Sequence, residues 1–298
     1  MEHIHISHCI VCGGEGEENL RIQDHMVSQE TFTLQECGSC GFVWTSPRPN
    51  QSAIGRYYDS PAYLSHDSEQ KSFFAFVYRL LRWYAAKRKV KTVEAATMSA
   101  GQKGSAWLDV GCGVGVFLNE AKSQGHAPYG VELSDKARAQ AEQRLQSKVF
   151  TSVEEVSGAF DAITLWHVLE HLPEPKETLV RLHTLAKPGA ALVVAVPNRE
   201  ALDAKIYGAQ WAAWDVPIHF WHFSKKDMTA LMKQSGWKVT AIQPMLLDAY
   251  YVSLLSEQYA TGSKNWLKAI QNGWKSNRAG KRGPNTSSLI YLATKEAI

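Results

Sequence analysis

Residues 107–118 read WLDVGCGVGVFL, and Glu132 lies at the end of the next apolar run, Ala127 to Leu133. Trp107 to Val110 has the apolar content of a short buried strand, with Asp109 near its end. Gly111, Gly113 and Gly115 then form a turn that few side chains tolerate, because glycine adopts a positive φ without a steric clash. Val116 to Lys122 opens a helix, and the second apolar run predicts a second strand with a carboxylate at its carboxyl end. Strand, glycine turn, helix and strand make the first βαβ unit of an open α/β sheet. A ligand can lie against the bare backbone of such a turn. Glu132, about 20 residues on, is placed to accept hydrogen bonds from both hydroxyls of a ribose.

The spacing differs from the Gly-x-Gly-x-x-Gly of nicotinamide-dinucleotide binders, because position 116 is valine. Asp109, just ahead of the turn, would repel a pyrophosphate and suits a ligand with an ammonium group, such as an amino acid. The stretch LDVGCGVG resembles motif I of class I S-adenosylmethionine (SAM) methyltransferases, and the resemblance extends over residues 106–245. It implies a Rossmann-like α/β fold: a seven-stranded sheet with helices on both faces. It also implies SAM as cofactor. Asp109 and Gly111 would face the methionine portion, with Cys112, Gly113 and Gly115 completing the turn. Glu132 would hold the ribose with Leu133 beside it, and Ser152 and Val153 would flank the adenine. Tyr57 or Tyr58 would close over the methionine carboxylate, or serve in ordinary packing.

At 298 residues the chain can bury a full core and hold more than one domain. With 45% apolar and 20% charged residues it has ordinary globular composition. A net charge of +3 is too small to imply nucleic acid by itself. The start, MEHIHISHC, lacks the basic-then-apolar pattern of a signal peptide, and no apolar run approaches the ~18 residues of a membrane span. The expectation is a cytoplasmic protein.

Four of the five cysteines form two knuckles, Cys9-x-x-Cys12 and Cys37-x-x-Cys40. In a cytosolic chain this pattern reads as a zinc site, since each knuckle points two thiolates at one metal and four satisfy tetrahedral zinc. The alternatives are a redox dithiol or free cysteines, and His8 is a substitute ligand that the set does not need. A closed four-thiolate site is structural. The expected organisation is a zinc ribbon over 1–45, a linker and amino-terminal helical lid over 46–98, and a methyltransferase core over 99–298 with a helical insertion near 246–284. In the lid, residues 67–98 have helical spacing, with Phe73, Phe76, Val77, Leu80, Leu81 and Tyr84 on one side. The other side is basic (Arg79, Arg82, Lys87, Arg88, Lys89, Lys91), either a solvated face or a dock for an anionic substrate or carrier. Later strands are expected at Lys148–Phe150, Phe160–Trp166, Ala190–Val196, Trp237–Pro244 and Leu289–Thr294, and Lys275–Pro284 as a loop.

Two stretches could carry chemistry. Residues 160–172, FDAITLWHVLEHL, run from a strand into a short helix. Ligands of open α/β sheets lie beyond the carboxyl ends of the strands, so Trp166 and His167 belong near the sulfonium. His167, Glu170 and His171 share a helical face and could act as base and orienting carboxylate, as scaffolding, or as ligands of a divalent metal. The stretch looks like the EVLEH segment of ubiquinone-biosynthesis O-methyltransferases, whose acidic and histidine residues are associated with a metal, with His167 in place of the first glutamate. Residues 208–223, GAQWAAWDVPIHFWHF, offer aromatic walls with His219 and His222, a pocket for one small substrate. The alternative is that the tryptophans pack this lid on the sheet. The segment resembles small-molecule methyltransferases with a W…D.P.H…HFS pattern, many of which carry arginine where Ile218 stands.

The expected function is methyl transfer to a small-molecule acceptor, O-methylation with a histidine base. A four-cysteine ribbon ahead of such a core is similar to NDP-sugar C-methyltransferases, a competing assignment. Two further classes compete: a nucleic-acid methyltransferase gripping through the ribbon and the basic face, and a non-catalytic binding module. Against the first, Trp166-His-Val-Leu169 follows the fourth strand, not the Asn/Asp-Pro-Pro-aromatic element of exocyclic-amine methylation. The second is disfavoured by the intact Asp109, glycines and Glu132.

Overall fold

The computed structural model describes residues 2–58, 73–280 and 283–295. Its strands, in chain order, are β1 (His3–Ile4), β2 (Gly16–Gln23), β3 (Thr31–Cys37), β4 (Val43–Thr45), β5 (Arg48–Pro49), β6 (Ala106–Val110), β7 (Ala127–Val131), β8 (Phe160–Trp166), β9 (Ala186–Pro197), β10 (Trp221–His222), β11 (Trp237–Pro244) and β12 (Ser288–Lys295). The central six-stranded sheet has the order β11-β12-β9-β8-β6-β7. β6 to β9 are parallel, while β12 runs antiparallel to both of its neighbours. β8 is buried at every position, and so is β9 from Ala190 to Val196. Near-continuous apolar runs of this kind are what a parallel sheet covered on both faces requires.

The sheet corrects the expected strand count. Lys148–Phe150 does not form a seventh strand: Phe150 alone makes a parallel bridge to Val131. The preceding helix, Asp135–Leu145, ends on Gln146 at φ 52°, and a 3₁₀ turn begins at Val153, so little extended chain remains between them. The helix Lys225–Gln234 starts on a capping box in which Ser224 and Asp227 bond each other's backbone, and Gly236 follows its end at φ +84°. The insertion forms two helices, Asp248–Thr261 and Trp266–Ala279, joined through Gly262 at φ +74°. Lys275 to Ala279, expected as loop, is helical. The lid helix spans Phe73–Glu94. Its expected start at 67 lies outside the described residues, as do the side chains of Phe73, Phe76, Val77, Arg79, Leu80, Leu81 and Arg82.

The cysteine-bearing segment is welded to the core. Its hairpin β2–β3 pairs with β4, and β4 pairs with β10 from the aromatic stretch, giving a sheet of order β10-β4-β3-β2. Thr45 N donates to Phe220 O (2.9 Å) and Thr45 Oγ1 to His219 O (2.8 Å). The Arg48 guanidinium lies over Phe220 and Trp221, 4.1 and 4.6 Å from the ring centroids. Phe42 and Trp44 share one hydrophobic cluster with Leu179, Trp221, Phe223 and Leu231.

Candidate active site

The carboxyl ends of β6, β7 and β8 carry the residues singled out in the sequence. Gly111, Gly113 and Gly115 all have positive φ (70°, 53° and 75°). At Gly111 a Cβ would lie 2.4 Å from Val168 Cγ2, whereas at Gly113 it would meet nothing within 4 Å. The first glycine is thus demanded by space and conformation, the second by conformation alone, and the backbone at Gly113 faces an open side. Gly111 N and Cys112 N donate to Val131 O, locking the turn to β7. The Cys112 thiol is turned into the sheet against Gly130, and burial raises its pKa. Glu132 accepts from Gly113 N (2.8 Å) and from Ser134 N (2.9 Å), so its carboxylate faces the glycine turn. Leu133 beside it is 74% exposed. Phe150 N bonds Gly130 O and Glu132 N bonds Phe150 O, which brings Ser152 and buried Val153 to the same edge.

Asp109 is buried and accepts a 2.5 Å hydrogen bond from Thr164 Oγ1. Burial raises its pKa to about 7, against the pull of Thr164 and Lys89 and with help from Glu132. Lys89 is not part of a solvated face: its Nζ stands 4.5 Å from the Trp166 ring centroid, and its charge interacts with Asp109 and Asp248. Burial lowers its pKa against those two carboxylates. Trp166 Nε1 is buried with no hydrogen-bond partner among the described residues.

His167 sits at φ 57°, and only a 3₁₀ turn, Leu169–His171, follows it. The expected shared helical face therefore does not form. His167 Nδ1 lies 3.3 Å from Glu170 Oε1, and Nε2 lies 2.9 Å from Asp248 Oδ2, an ion-pair contact off the hydrogen-bond direction. Burial opposes its charge, yet the two carboxylates outweigh burial and raise its pKa to about 10. An imidazolium clamped in this way is a poor general base. His171 and His219 are the opposite case. Burial lowers both, His171 to about 4, so both rings are neutral. Their centroids are 4.6 Å apart, edge to face. Ligand atoms of Glu170, His171 and His219 all lie within 4.8 Å of one another, and Glu170 Oε2 is buried with no hydrogen-bond partner among the described residues.

The two tyrosines separate. Tyr57 is buried against Phe32, and its hydroxyl donates to Glu30 Oε2 (2.5 Å), so it belongs to the ribbon packing and not to the glycine turn. Tyr58 reaches the histidine cluster, with its hydroxyl 3.3 Å from His171 Nδ1. His222 leaves the cluster: its Nε2 lies 3.0 Å from Thr45 Oγ1, with Trp214 edge-on to its ring. Three of the participants were absent from the sequence-derived set: Thr164, Asp215 and Asp248. Asp215 lies 3.8 Å from His219 Nε2. Asp215 falls inside the aromatic stretch and could have been found there. No spacing signal links Asp248 to His167, because they meet only through the insertion.

In the amino-terminal segment the pairs Cys9–Cys40 and Cys12–Cys37 have their sulfurs 3.6 and 3.4 Å apart, and all four lie within 4.8 Å. Disulfide sulfurs would be about 2.05 Å apart. The edge of a tetrahedron with Zn–S of about 2.3 Å is about 3.8 Å, so the spacing fits four thiolates around one zinc.

With this geometry in place, the comparisons with known proteins are decisive for the class. The family described as "Methyltransferase domain" matches residues 81–242, and the chain belongs to it as a class I SAM-dependent methyltransferase. It is similar to the ubiquinone biosynthesis O-methyltransferase of Pseudomonas paraeruginosa, 28% identical over 159 residues that cover 48% of this chain and 68% of that one. The protein of the same name from Xanthomonas axonopodis pv. citri is 27% identical over 210 residues, 62% of this chain and 86% of its own. Among solved structures, magnesium protoporphyrin IX methyltransferase from Synechocystis PCC 6803 with bound SAH aligns with a TM-score of 0.54 at 15% identity, covering 83% of this chain and all of that one. That likeness concerns the fold.

Proposed function

We propose that the chain transfers a methyl group from SAM to a hydroxyl group of a small molecule held between the 166–171 turn and the 208–223 stretch. The observation that carries this reading is the glycine turn: an open backbone at Gly113, Glu132 beneath it and buried Asp109 behind it. SAM, when bound, supplies an electrophilic methyl group on a sulfonium. Glu132 would hold the ribose hydroxyls, Leu133 and Val153 the adenine, and Asp109 the ammonium end. A group titrating near 7 ionises more fully when a cation arrives, which suits Asp109 to that place. The unpartnered Trp166 Nε1 is available to a ligand. The acceptor's proton would pass to a neutral imidazole, His171 or His219, as the new oxygen–carbon bond forms and the sulfur–carbon bond breaks. His167 would fix Glu170 and Asp248 and would not receive the proton. The test is incubation with methyl-labelled SAM and a metabolite extract. One low-mass product carrying the label is expected; label found only in RNA or protein would overturn the reading.

A second reading of the same cluster is favoured by the convergence of Glu170, His171 and His219 with a buried, unpartnered carboxylate oxygen. An oxygen and two imidazole nitrogens suit a divalent transition metal, which would lower the pKa of a bound hydroxyl. Structural zinc on Cys9, Cys12, Cys37 and Cys40 is proposed independently of either. One zinc per chain is expected by elemental mass spectrometry, and Cys37→Ser should lower Tm by roughly 10 °C or more. Protein isolated without zinc, and a melting curve indifferent to chelator, would remove the site.

A further inference from the structure

The helix Trp266–Ala279 has three faces. Ala269, Asn272, Gly273 and Ser276 are buried. The helix packs so closely on Asp248–Thr261 that a Cβ at Gly273 would come within 2.8 Å of Tyr250. At about 100° per residue, a second apolar stripe lies away from that packed face: Trp266, Leu267, Ile270 and Trp274, each half or more exposed. Lys264, Lys268, Lys275 and Arg278 flank this stripe, and the Arg278 guanidinium lies 5.1 Å from the Trp274 ring centroid. No aspartate or glutamate occurs in the sequence between Glu257 and Glu296, and Glu257 is itself fully buried. Lys268 Nζ pairs with Glu257 Oε1 at 3.4 Å, so among the described residues the stripe is an exposed apolar surface edged by Lys264, Lys275 and Arg278, with no exposed carboxylate on the helix. Leu246, Leu247 and Tyr251 extend the exposed apolar surface on the preceding segment. Asn277 Nδ2 donates to Leu246 O (2.9 Å), tying the end of the helix to the residues just before Asp248. Among the described residues no helix is long and apolar enough to cross a membrane.

We propose that the helix Trp266–Ala279 is an interfacial anchor that lies on an anionic lipid bilayer. Its tryptophans, Leu267 and Ile270 enter the headgroup–acyl boundary, and Lys264, Lys275 and Arg278 face lipid phosphates. A bilayer supplies both elements the surface lacks, an apolar layer and dense negative charge, with no need for a shaped groove. An acidic protein partner would satisfy the charges, but a row of side chains this exposed on a convex helix offers no pocket for its anchors. Docking there would bring the bilayer close to the Asp248–His167 end of the site, where an acceptor with a lipid tail could enter.

The test is co-sedimentation of the full chain with vesicles of phosphatidylcholine alone or with about one third phosphatidylglycerol. Binding to the anionic vesicles is expected to be at least about tenfold stronger and to fall steeply with added salt, because exposed charges are screened over about 10 Å at 0.1 M salt. Leu267→Ser/Ile270→Ser should abolish binding, and Lys275→Glu/Arg278→Glu should abolish the preference for phosphatidylglycerol. All four positions are on the solvent side, and unchanged melting and SAM affinity serve as the folding control. Equal sedimentation with both vesicle types, or none with either, would overturn the anchor. So would self-association in sedimentation velocity that the Leu267→Ser/Ile270→Ser variant abolishes in the absence of lipid, which would assign the stripe to a second copy of the chain.

Discussion

Glu132→Ala is expected to weaken SAM binding by tenfold to a hundredfold in calorimetry, with a smaller fall in Tm. The carboxylate accepts from Gly113 N and Ser134 N, so it both supports the turn and presents an anionic acceptor at its open side. Hydrogen bonds to a charged group contribute about 1.5–3 kcal/mol each, and about 1.4 kcal/mol is a tenfold change in Kd. Glu132→Gln keeps the shape and one acceptor oxygen, and should fall between wild type and alanine. A Kd for Glu132→Ala equal to wild type would sink the assignment of this turn to SAM.

His167→Asn is the second large effect. Asparagine tolerates the left-handed backbone at φ 57° better than most residues, so the substitution removes the cation while sparing the turn. Glu170 and Asp248 then face each other's surroundings without their shared counter-ion. Breaking a buried pair by removing one partner costs about 3–5 kcal/mol. His167 is 30% exposed, so the cost should be lower, about 1–3 kcal/mol. Turnover should fall at least about tenfold while SAM affinity stays within about threefold, since the loss concerns the ordering of the acceptor side. The pH dependence separates the roles. His167 has its pKa raised to about 10, above the ordinary value near 6.5. Its ion pairs stabilise the fold in full below about pH 6.5 and are lost as pH rises through about 10. Wild type should therefore lose stability and turnover on the alkaline side, and the variant should lack that limb. A wild-type acid limb near pH 6.5 that disappears in the variant would return His167 to the role of base.

The glycine-turn half of the candidate site was legible as geometry because it is local. The glycines, Asp109 and Glu132 lie on consecutive elements of one βαβ unit, where sequence spacing maps directly onto space. The histidine half was legible only in outline. His171 and His219 stand 48 residues apart in sequence and meet because the aromatic stretch folds back over the turn. One positive φ at His167 moved its ring from the expected shared face to Asp248 on the insertion. Helical periodicity has no term for such a break. Tyr57 and His222 were drawn to the site by residue type, whereas their hydrogen bonds to Glu30 and Thr45 hold them against the amino-terminal sheet. Among the strands, Phe160–Trp166 and Trp237–Pro244 were readable from their apolar runs, while Lys148–Phe150 was lost to the short span between a helix end and a turn.

The pairing of β10 with β4 makes the cysteine-bearing segment and the aromatic wall one cooperative unit of opening. Phe220 and Thr45 share a hydrogen bond, and His219, one residue away, borders the acceptor cluster. Melting of the amino-terminal sheet would therefore loosen the 208–223 stretch beside the Glu170, His171 and His219 cluster, while the glycine turn and Glu132, held by β6 and β7, keep their shape. On the proposed reading, such a half-open molecule would still bind SAM and would lack the wall against which an acceptor is held.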